Sequence, residues 1–355
     1  MKYLIPLLAF YFLIGCDGEK SNKTKNPNLK YRMEGDEVTI TGCDTKASGD
    51  LIIPAKIEGK TVTGIRSLAF YDCKSLTKIT IPDGVTIIND STFGGCSSLT
   101  SITIPDGVTS IGERAFFACT SLTSVNIPDS VTSIGYQTFN ECTSLTSITI
   151  PDGVTSIGRY AFYYCTSLTS ITIPDSVTSI GDEAFYNCTS LTSITIPDGV
   201  TSIGIQTFND CTNLTSITIP DSVTSIGNSA FQSSTNLTSI TIPDGVTSIG
   251  AGAFWDCTNL TSITIGNGVT SIGHAAFWNC NRLTGITIPD SVINIGIKTF
   301  YRCSSLNKVT FLGDAPRVSN DAFKESSPTI YRKADAKDWD DTLAGRPVKL
   351  ITEKP

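Results

Sequence analysis

The chain has 355 residues, a formal net charge of −7 at pH 7 and a pI near 4.8, and only 17% of its residues are charged. This acidic balance provides no basic surface of the kind that nucleic-acid binding requires. The length would suit two or three ordinary domains. An internal repeat of 23 residues overrides that expectation and predicts one elongated array instead.

The N-terminus has the features of an export signal. Lys2 provides one positive charge, and the apolar stretch from Tyr3 ends in Leu13-Ile14-Gly15-Cys16. About a dozen apolar residues are too few to span a bilayer comfortably, and they match the hydrophobic region of a signal peptide. The ending resembles a bacterial lipobox, which implies cleavage before Cys16 and lipidation of its thiol. An ordinary signal peptide with a chance cysteine, or an uncleaved anchor, are the alternatives.

The composition divides the chain into five segments. Residues 1–15 are predicted to be a lipoprotein signal peptide, and the polar residues 16–30 a flexible tether. Residues 31–69, with strand-like Val38-Thr39-Ile40, are predicted to form an N-terminal cap and an irregular first repeat. Residues 70–311 are the repeat array, and residues 312–355 are predicted to form a C-terminal cap.

Phenylalanine recurs every 23 residues through the array. The positions are Phe70, Phe93, Phe116, Phe139, Phe162, Phe185, Phe208, Phe231, Phe254, Phe277, Phe300 and Phe323. A fixed period of this length predicts stacked coils, each too small to bury its own apolar face. The chain is therefore predicted to be a solenoid, an architecture that offers surface to partners rather than enclosing a reaction.

The unit at residues 99–121 shows how one coil is expected to form its strand. Ile102 and Ile104 point inward, whereas Ser101 and Thr103 point outward, which is the alternation of a half-buried strand. The equivalent Ser and Thr of successive coils are predicted to form a flat, hydroxyl-rich sheet face.

The second half of the unit predicts a glycine corner and a short helix. Gly112 belongs to a column that is Gly in every coil as far as Gly296, with Asn89 in an earlier coil. Gly and Asn tolerate the left-handed region best, so we expect positive φ in this column. Glu113 to Cys119 follows, with apolar residues spaced as in about one and a half helical turns.

Ten cysteines occupy a single column of the repeat. They are Cys73, Cys96, Cys119, Cys142, Cys165, Cys188, Cys211, Cys257, Cys280 and Cys303, and Ser234 takes the place of the missing member. Residues of one column stack in parallel, so bridging neighbours would demand distorted disulfides. We predict a buried ladder of small side chains. No metal site or cofactor is predicted, since neither a His nor a second Cys accompanies each coil.

The unit L-x-x-I-x-I-P-D-x-V-x-x-I-G-x-x-A-F-x-x-C-x-x resembles the BspA-like leucine-rich repeats of bacterial surface proteins, over about residues 31–330. The resemblance implies an α/β repeat solenoid, a curved right-handed coil with a parallel β-sheet on one face and short helical or extended segments on the other. It also implies a location at the cell surface of a bacterium, with a role in adhesion. Together with the lipobox-like N-terminus, this predicts an exported, lipid-anchored protein at the outer membrane or cell surface. The family carries no catalytic residues to transfer.

The positions flanking each Phe are diverse and rich in aromatic residues, unlike the nearly uniform Ser/Thr face. Tyr, Trp and Arg dominate binding hot spots. The candidate ligand-binding residues are Arg159, Tyr163, Tyr164, Tyr186, Trp255, Trp278 and Tyr301. Drift at exposed positions, with some aromatics merely shielding the core, is the alternative. The hydroxyl-rich sheet face is a second candidate surface.

Enzymatic activity is not expected from this sequence. His274 is the only histidine, so no catalytic triad built on His is available, and no phosphate-binding glycine loop is present. A uniform repeat also provides no single concave pocket for a small-molecule substrate. The predicted function is therefore an adhesin-like binding protein with a protein or glycan ligand. A structural or self-assembling envelope protein without a specific host ligand is the alternative.

Overall fold

The computed structural model describes residues 27–351. The predicted signal peptide, Cys16 and most of the predicted tether lie outside these residues. Leu29 and Lys30, at the end of the segment predicted as tether, already belong to the first strand. Across the described residues, no helical stretch has the length and hydropathy needed to traverse a bilayer.

The N-terminal part contains antiparallel and parallel pairings that differ from the array. Its strands are β1 (Leu29–Glu34), β2 (Glu37–Cys43), β3 (Ser48–Ile52), β4 (Lys56–Ile57) and β5 (Lys60–Ile65). Strands β1, β2, β5 and β4 form one sheet in that order, with β1 antiparallel to β2 and β2 parallel to β5. Strand β3 instead pairs in parallel with the first strand of the array.

The array contributes pairs of short strands that pair from coil to coil. They are β6 (Ser75–Thr80), β7 (Ile87–Ile88), β8 (Ser101–Thr103), β9 (Ser110–Ile111), β10 (Ser133–Ile134), β11 (Ser147–Thr149), β12 (Ser156–Ile157), β13 (Ser170–Thr172), β14 (Ser179–Ile180), β15 (Ser193–Thr195), β16 (Ser202–Ile203), β17 (Ser216–Thr218), β18 (Ser225–Ile226), β19 (Ser239–Ile242), β20 (Ser248–Ile249), β21 (Ser262–Ile265), β22 (Ser271–Ile272), β23 (Gly285–Ile288), β24 (Asn294–Ile295), β25 (Lys308–Phe311) and β26 (Arg317–Val318). The array pairings are parallel and join equivalent residues, as Ser147 with Ser170 and Ser156 with Ser179. These parallel sheets confirm the predicted repeat solenoid.

The C-terminal end closes with β27 (Thr329–Arg332), β28 (Thr342–Leu343) and β29 (Arg346–Leu350). Strand β27 continues the parallel ladder from β25, and β29 adds to β27. Strand β28 folds back antiparallel onto β29, so the parallel ladder ends in an antiparallel pairing. Trp339 packs edge-on against Phe311 at 5.1 Å between ring centroids.

The phenylalanine column forms the central line of the core. Every member from Phe70 to Phe323 is 0% exposed. Consecutive rings lie with their centroids 5.2–5.6 Å apart, nearly parallel in most pairs. Each ring therefore packs on the ring of the coil before and the coil after, an arrangement that no single coil could provide.

The predicted helical segments are wrong, because residues 27–351 contain no helix. In the segment from Glu113 to Cys119, the Arg114 and Phe116 amides donate to carbonyls of the next coil at 3.0 Å each, whereas the Phe117 amide donates to Arg114 within the coil at 3.0 Å. An α-helix would bond Phe117 to the carbonyl four residues earlier, whereas its partner Arg114 lies only three residues earlier. Positive φ at Arg114 (56°) and Ala118 (54°) interrupts helical geometry on both sides of Phe116.

The expected positive φ in the glycine column is also wrong. No member from Gly112 to Gly296 has positive φ, and the left-handed residues stand two positions later, as at Glu183 (56°). Glycine is needed at most positions of this column because the preceding coil leaves no room for a side chain. A Cβ on Gly181 would lie 2.4 Å from the Arg159 nitrogen and 2.8 Å from the Gly158 carbonyl carbon, both backbone atoms of the preceding coil.

The cysteine column is buried, and its thiols are free. From Cys96 onward each Sγ donates a hydrogen bond to the carbonyl of the Phe 26 residues earlier, at 3.0–3.2 Å. Burial raises the pKa of the Cys211 thiol to about 12, which keeps it protonated as a donor. Ser234 makes the same bond to Phe208 at 2.9 Å, so this position needs a small donor and not sulfur as such.

Exchanging this serine tests that requirement. We expect Ser234→Cys to change the free energy of unfolding by less than about 0.5 kcal/mol, because the donor is kept, and Ser234→Ala to lower it by about 1 kcal/mol. Urea denaturation in the presence of a reducing agent measures both. Equal effects of the two substitutions would show that the hydrogen bond to Phe208 does not contribute to stability.

Threonine hydroxyls form further ladders between coils on the sheet side. Thr123 donates through its Oγ1 to the Thr100 carbonyl at 3.2 Å, and Thr155 donates to Thr132 at 3.3 Å. These bonds run from a later coil to an earlier one, opposite in direction to the backbone bonds of the Phe segment. The abundance of Thr in the repeat therefore has a structural cause in addition to solubility.

Candidate functional site

The residue after the buried Phe reaches the surface in most coils, although Asn140 and Asn209 at this position are buried. Because Phe162 points into the core, Tyr163 and Tyr164 lie at the surface, where Tyr163 is half-buried and Tyr164 is 37% exposed. Tyr164 has φ 58° and Tyr160 has φ 59°, so both occupy the left-handed region. This conformation turns the chain sharply on both sides of Phe162 and brings the flanking side chains to one edge of the coil.

Five tyrosines of successive coils pack together there, and we name them the tyrosine cluster: Tyr136, Tyr160, Tyr163, Tyr164 and Tyr186. Tyr163 and Tyr186 are stacked with ring centroids 4.8 Å apart, and Tyr164 lies 4.7 Å from Tyr163. Tyr160 meets Tyr163 edge-on at 5.2 Å and Tyr136 at 5.8 Å. The cluster is a continuous aromatic patch across three coils.

Arg159 attaches a charged group to this patch. Its guanidinium donates to Glu183 at 3.1 Å and to the Tyr160 hydroxyl at 2.7 Å, and lies 4.5 Å from the centre of the Tyr160 ring. Glu183 is only 14% exposed, whereas Arg159 is 53% exposed. The arginine is therefore held in place by a largely buried carboxylate while much of its surface faces solvent.

The hydroxyls of Tyr163 and Tyr186 stay protonated at neutral pH. Burial, followed by the neighbouring Tyr164 and Tyr186, raises the pKa of Tyr163. Burial, followed by the Asp210 carboxylate, raises the pKa of Tyr186 to about 12. The patch therefore presents neutral hydroxyl groups that can donate as well as accept hydrogen bonds.

A second group, the tryptophan cluster, consists of Trp255, Trp278 and Tyr301 on later coils of the same column. Trp255 and Trp278 stack at 4.8 Å with an interplanar angle of 21°, and Tyr301 lies 4.3 Å from Trp278. The Lys298 ammonium lies 5.3 Å from the Trp278 ring centre and 5.6 Å from that of Tyr301, within the range of cation–π attraction.

The structure divides the predicted site residues between these two clusters. Arg159, Tyr163, Tyr164 and Tyr186 come together in the first, and Trp255, Trp278 and Tyr301 in the second. Coils bearing Asn209 and Gln232 at the equivalent position lie between them. The candidate set omitted Tyr136, Tyr160 and Lys298, although their place in the repeat beside the selected residues was a usable signal.

The remaining candidate surfaces are simpler. On the sheet face, Ser147, Thr149, Ser170 and Thr172 are exposed and aligned in register between coils. Among residues 27–351, no group of three or more His, Cys, Asp or Glu side chains is arranged to hold a metal ion. Aromatic diversity is thus concentrated on the Phe-flanking edge.

Solved structures of bacterial repeat proteins resemble the chain along most of its length. A leucine rich cell surface protein from Faecalibacterium prausnitzii is 31% identical, with 89% of this chain and 96% of that one covered and a TM-score of 0.58. A leucine-rich repeat protein from Bacteroides ovatus is 25% identical, covers 92% of this chain and 98% of its own, and has a TM-score of 0.50. The pneumococcal vaccine antigen PcpA, at 19% identity, 92% and 98% coverage and a TM-score of 0.51, shares the fold.

None of the curated proteins compared with the sequence is significantly similar to it. The BspA type leucine rich repeat region, by contrast, occurs in six copies, with matches over residues 63–190, 133–260 and 224–332. These matches span most of the chain and agree with the coil period and the parallel strands. The chain therefore belongs to the family of BspA type leucine-rich repeat proteins.

Proposed function

We propose that this protein is displayed at the cell surface, where it binds another macromolecule through the tyrosine and tryptophan clusters, in the manner of an adhesin. The similarity to a bacterial cell surface protein supports the location. Repeat solenoids in general present extended binding surfaces. The two clusters combine Tyr, Trp and Arg, which are the residues that contribute most to hot spots in protein interfaces.

The packing of aromatic residues with cations into two clusters is the observation that carries the proposal. Arg159 is held 4.5 Å from the centre of the Tyr160 ring, and Lys298 lies 5.3 Å from that of Trp278. The positive φ of Tyr160 belongs to the repeat and does not distinguish the cluster, because equivalent positions hold residues as different as Arg114 and Lys298. The side-chain packing therefore supports an aromatic binding surface.

The packing of the rings favours a protein over a glycan as the partner. In both clusters the rings stack on one another, so their faces are largely covered and their edges and polar groups remain available. Sugars bind aromatic residues mainly through free ring faces, whereas a protein partner can use edges, hydroxyls and the Arg159 and Lys298 cations. A glycan ligand remains an outcome of the binding experiment.

In this proposal, residues 1–15 are removed and Cys16 carries the lipid that anchors the chain in the outer membrane of the cell. Residues 16–30 then link the membrane to the solenoid, whose predicted curvature and right-handed sense set the direction of the binding edge. Protease treatment of intact cells tests the orientation, because only an external chain is lost from whole cells.

Attachment measurements test the binding edge. We expect a variant with Tyr163, Tyr164, Trp255 and Trp278 replaced by Ser to attach to host cells or matrix proteins at least tenfold more weakly, since hot-spot residues are removed. A matched control replaces Thr149, Thr172 and Thr195 by Lys on the sheet face, where we expect attachment to persist. Both variants are compared by circular dichroism to establish that the solenoid is intact.

Two results would contradict this proposal. Unchanged attachment of the aromatic variant would show that the clusters do not bind, and loss of attachment in the control alone would place binding on the sheet face. If no ligand is bound and the size of the purified chain grows with its concentration, the self-assembling envelope role is favoured instead.

A further inference from the structure

Cys43 and Cys73 form a pair unlike any other in the cysteine column. Cys43 is the last residue of β2, and Cys73 is the first member of the column. Their sulfurs converge on one acceptor, because Cys43 Sγ lies 3.6 Å and Cys73 Sγ 3.9 Å from the carbonyl oxygen of Asp44. Both side chains belong to the buried core.

The start of the repeat explains why this pair forms. Each later column thiol donates to the carbonyl of a Phe in the preceding coil, at 3.1 Å for Cys96. Cys73 does not repeat this bond to Ala47, the residue 26 positions before it, and its Sγ lies near the Asp44 carbonyl instead. Its thiol therefore turns to the end of β2, where Cys43 lies.

We propose that Cys43 and Cys73 are a redox pair that forms a disulfide, while the rest of the cysteine column stays reduced. The bond would join the N-terminal sheet to the first coil of the array. It would thereby fasten the end of the solenoid, where coils have a neighbour on one side only.

The later column thiols are poorly placed for the same reaction. Cys96, Cys119 and their successors are 0% exposed, as is Cys73, so Cys43 is the member of the proposed pair that an oxidant can reach. Hydrogen-bonded strands lie about 4.7–4.9 Å apart, and the column rings of neighbouring coils lie 5.2–5.6 Å apart, so equivalent side chains that point the same way start wide of disulfide geometry. A disulfide requires Cβ atoms about 3.5–4.5 Å apart. Cys43, in contrast, comes from a strand outside the column and keeps 8% exposure.

The reaction needs a disulfide as oxidant, such as a small-molecule or protein disulfide. One protein thiolate attacks a sulfur of the oxidant and expels one thiolate, which leaves a mixed disulfide. The second protein thiolate attacks the protein sulfur of that bond and expels the other thiolate. Two protein thiols are oxidised, and the oxidant is reduced to two thiols that take up the two protons. The neighbouring Cys43 thiol lowers the pKa of Cys73, which favours its thiolate.

Peptide mapping of the full chain tests the pair. The purified protein is reduced with dithiothreitol, equilibrated with oxidised glutathione, alkylated and digested, and the peptides are identified by mass spectrometry. We expect one linked peptide that contains Cys43 and Cys73, and alkylated thiols at the other column positions. The melting temperature of the oxidised form should exceed that of the reduced form by about 5 °C.

Two variants make the outcome specific. Cys43→Ala should abolish the linked peptide and the difference in melting temperature between the oxidised and reduced forms. Cys96→Ala, which removes a column thiol that we expect to stay reduced, should retain both. Absence of the Cys43–Cys73 peptide from the oxidised wild-type chain would overturn the assignment, and so would column cysteines bridged to one another in comparable yield. The wild-type mapping decides the matter even if a variant fails to fold.

Discussion

Replacing Phe185 by Ala is expected to lower the free energy of unfolding by about 3–5 kcal/mol. The side chain is 0% exposed and stacks on Phe162 at 5.4 Å and on Phe208 at 5.6 Å. Its removal leaves a cavity that both neighbouring coils border, so two interfaces are weakened at once. Because coils interact only with their neighbours, the lesion can also divide unfolding into separate N-terminal and C-terminal transitions.

Guanidinium denaturation followed by circular dichroism measures this effect. Phe117→Ala is the matched control, because Phe117 directly follows a column Phe and is only half-buried. We expect the control to cost less than about 1.5 kcal/mol. A cost for Phe185→Ala no larger than that of the control would show that the stacked column is not the main source of stability.

Gly181→Ala is expected to destabilise the chain by about 2–3 kcal/mol or more, although Ala is smaller than most surface residues of the repeat. The added Cβ would lie 2.4 Å from a backbone nitrogen and 2.8 Å from two backbone carbons of the preceding coil. Backbone cannot move aside as a flexible side chain can, so the coils must separate locally. The inter-coil hydrogen bond from the Gly181 amide to the Ile157 carbonyl, now 2.8 Å, would lengthen.

Gly107→Ala is the control for this substitution. The nearest atom to its added Cβ is the Asp83 carbonyl oxygen at 3.6 Å, an ordinary contact. Its φ is not positive, so Ala should be neutral or slightly stabilising there. Gly181→Asn separates the two explanations of the column, since Asn would rescue a position that needs positive φ but not one that lacks space. A stable Gly181→Asn protein would restore the conformational explanation. Thermal melting of the three variants supplies the comparison.

The periodic parts of the fold could be predicted from the sequence because they depend on side-chain type alone. The Phe column and the alternation at Ile102 and Ile104 predicted stacked coils with parallel strands, and the structure confirms both. A column of identical apolar residues can be explained only by burial between copies. The burial of the cysteine column could be predicted from the sequence in the same way. Its hydrogen bonds to Phe carbonyls could not, because they depend on geometry that residue spacing does not reveal.

The errors share one physical cause, which is contact between neighbouring coils. The apolar residues from Glu113 to Cys119 have helical spacing within one unit. Alternate amides of this segment, such as that of Phe116, nevertheless donate to carbonyls of the coil that follows. The glycine column reflects the backbone of the coil before it, and the left-handed positions hold residues as different as Arg114, Glu183 and Lys298. Because these positions hold such different residues, their positive φ could not be predicted from residue type.

The candidate site was predictable as a region and not as a geometry. Diversity and aromatic content identified the Phe-flanking edge, and the residues chosen there fall into two packed clusters. Three details became apparent only from the stacked coils. Asn209 and Gln232 separate the two clusters, Tyr160 has positive φ, and the Lys298 ammonium lies against the Trp278 ring.

The opposed hydrogen-bond directions on the two sides of each coil have an electrostatic consequence. Amides of the Phe segment point toward the C-terminal end of the stack, as from Phe116 to Thr138, whereas those of the threonine columns point the other way, as from Thr123 to Thr100. In an α-helix all such dipoles add, and partial charges accumulate at its ends. Because the two contributions here oppose one another in every coil, the electric dipole along the axis does not grow as it would in an α-helix. Whole 23-residue units can therefore be gained or lost without charge accumulating at the ends of the stack.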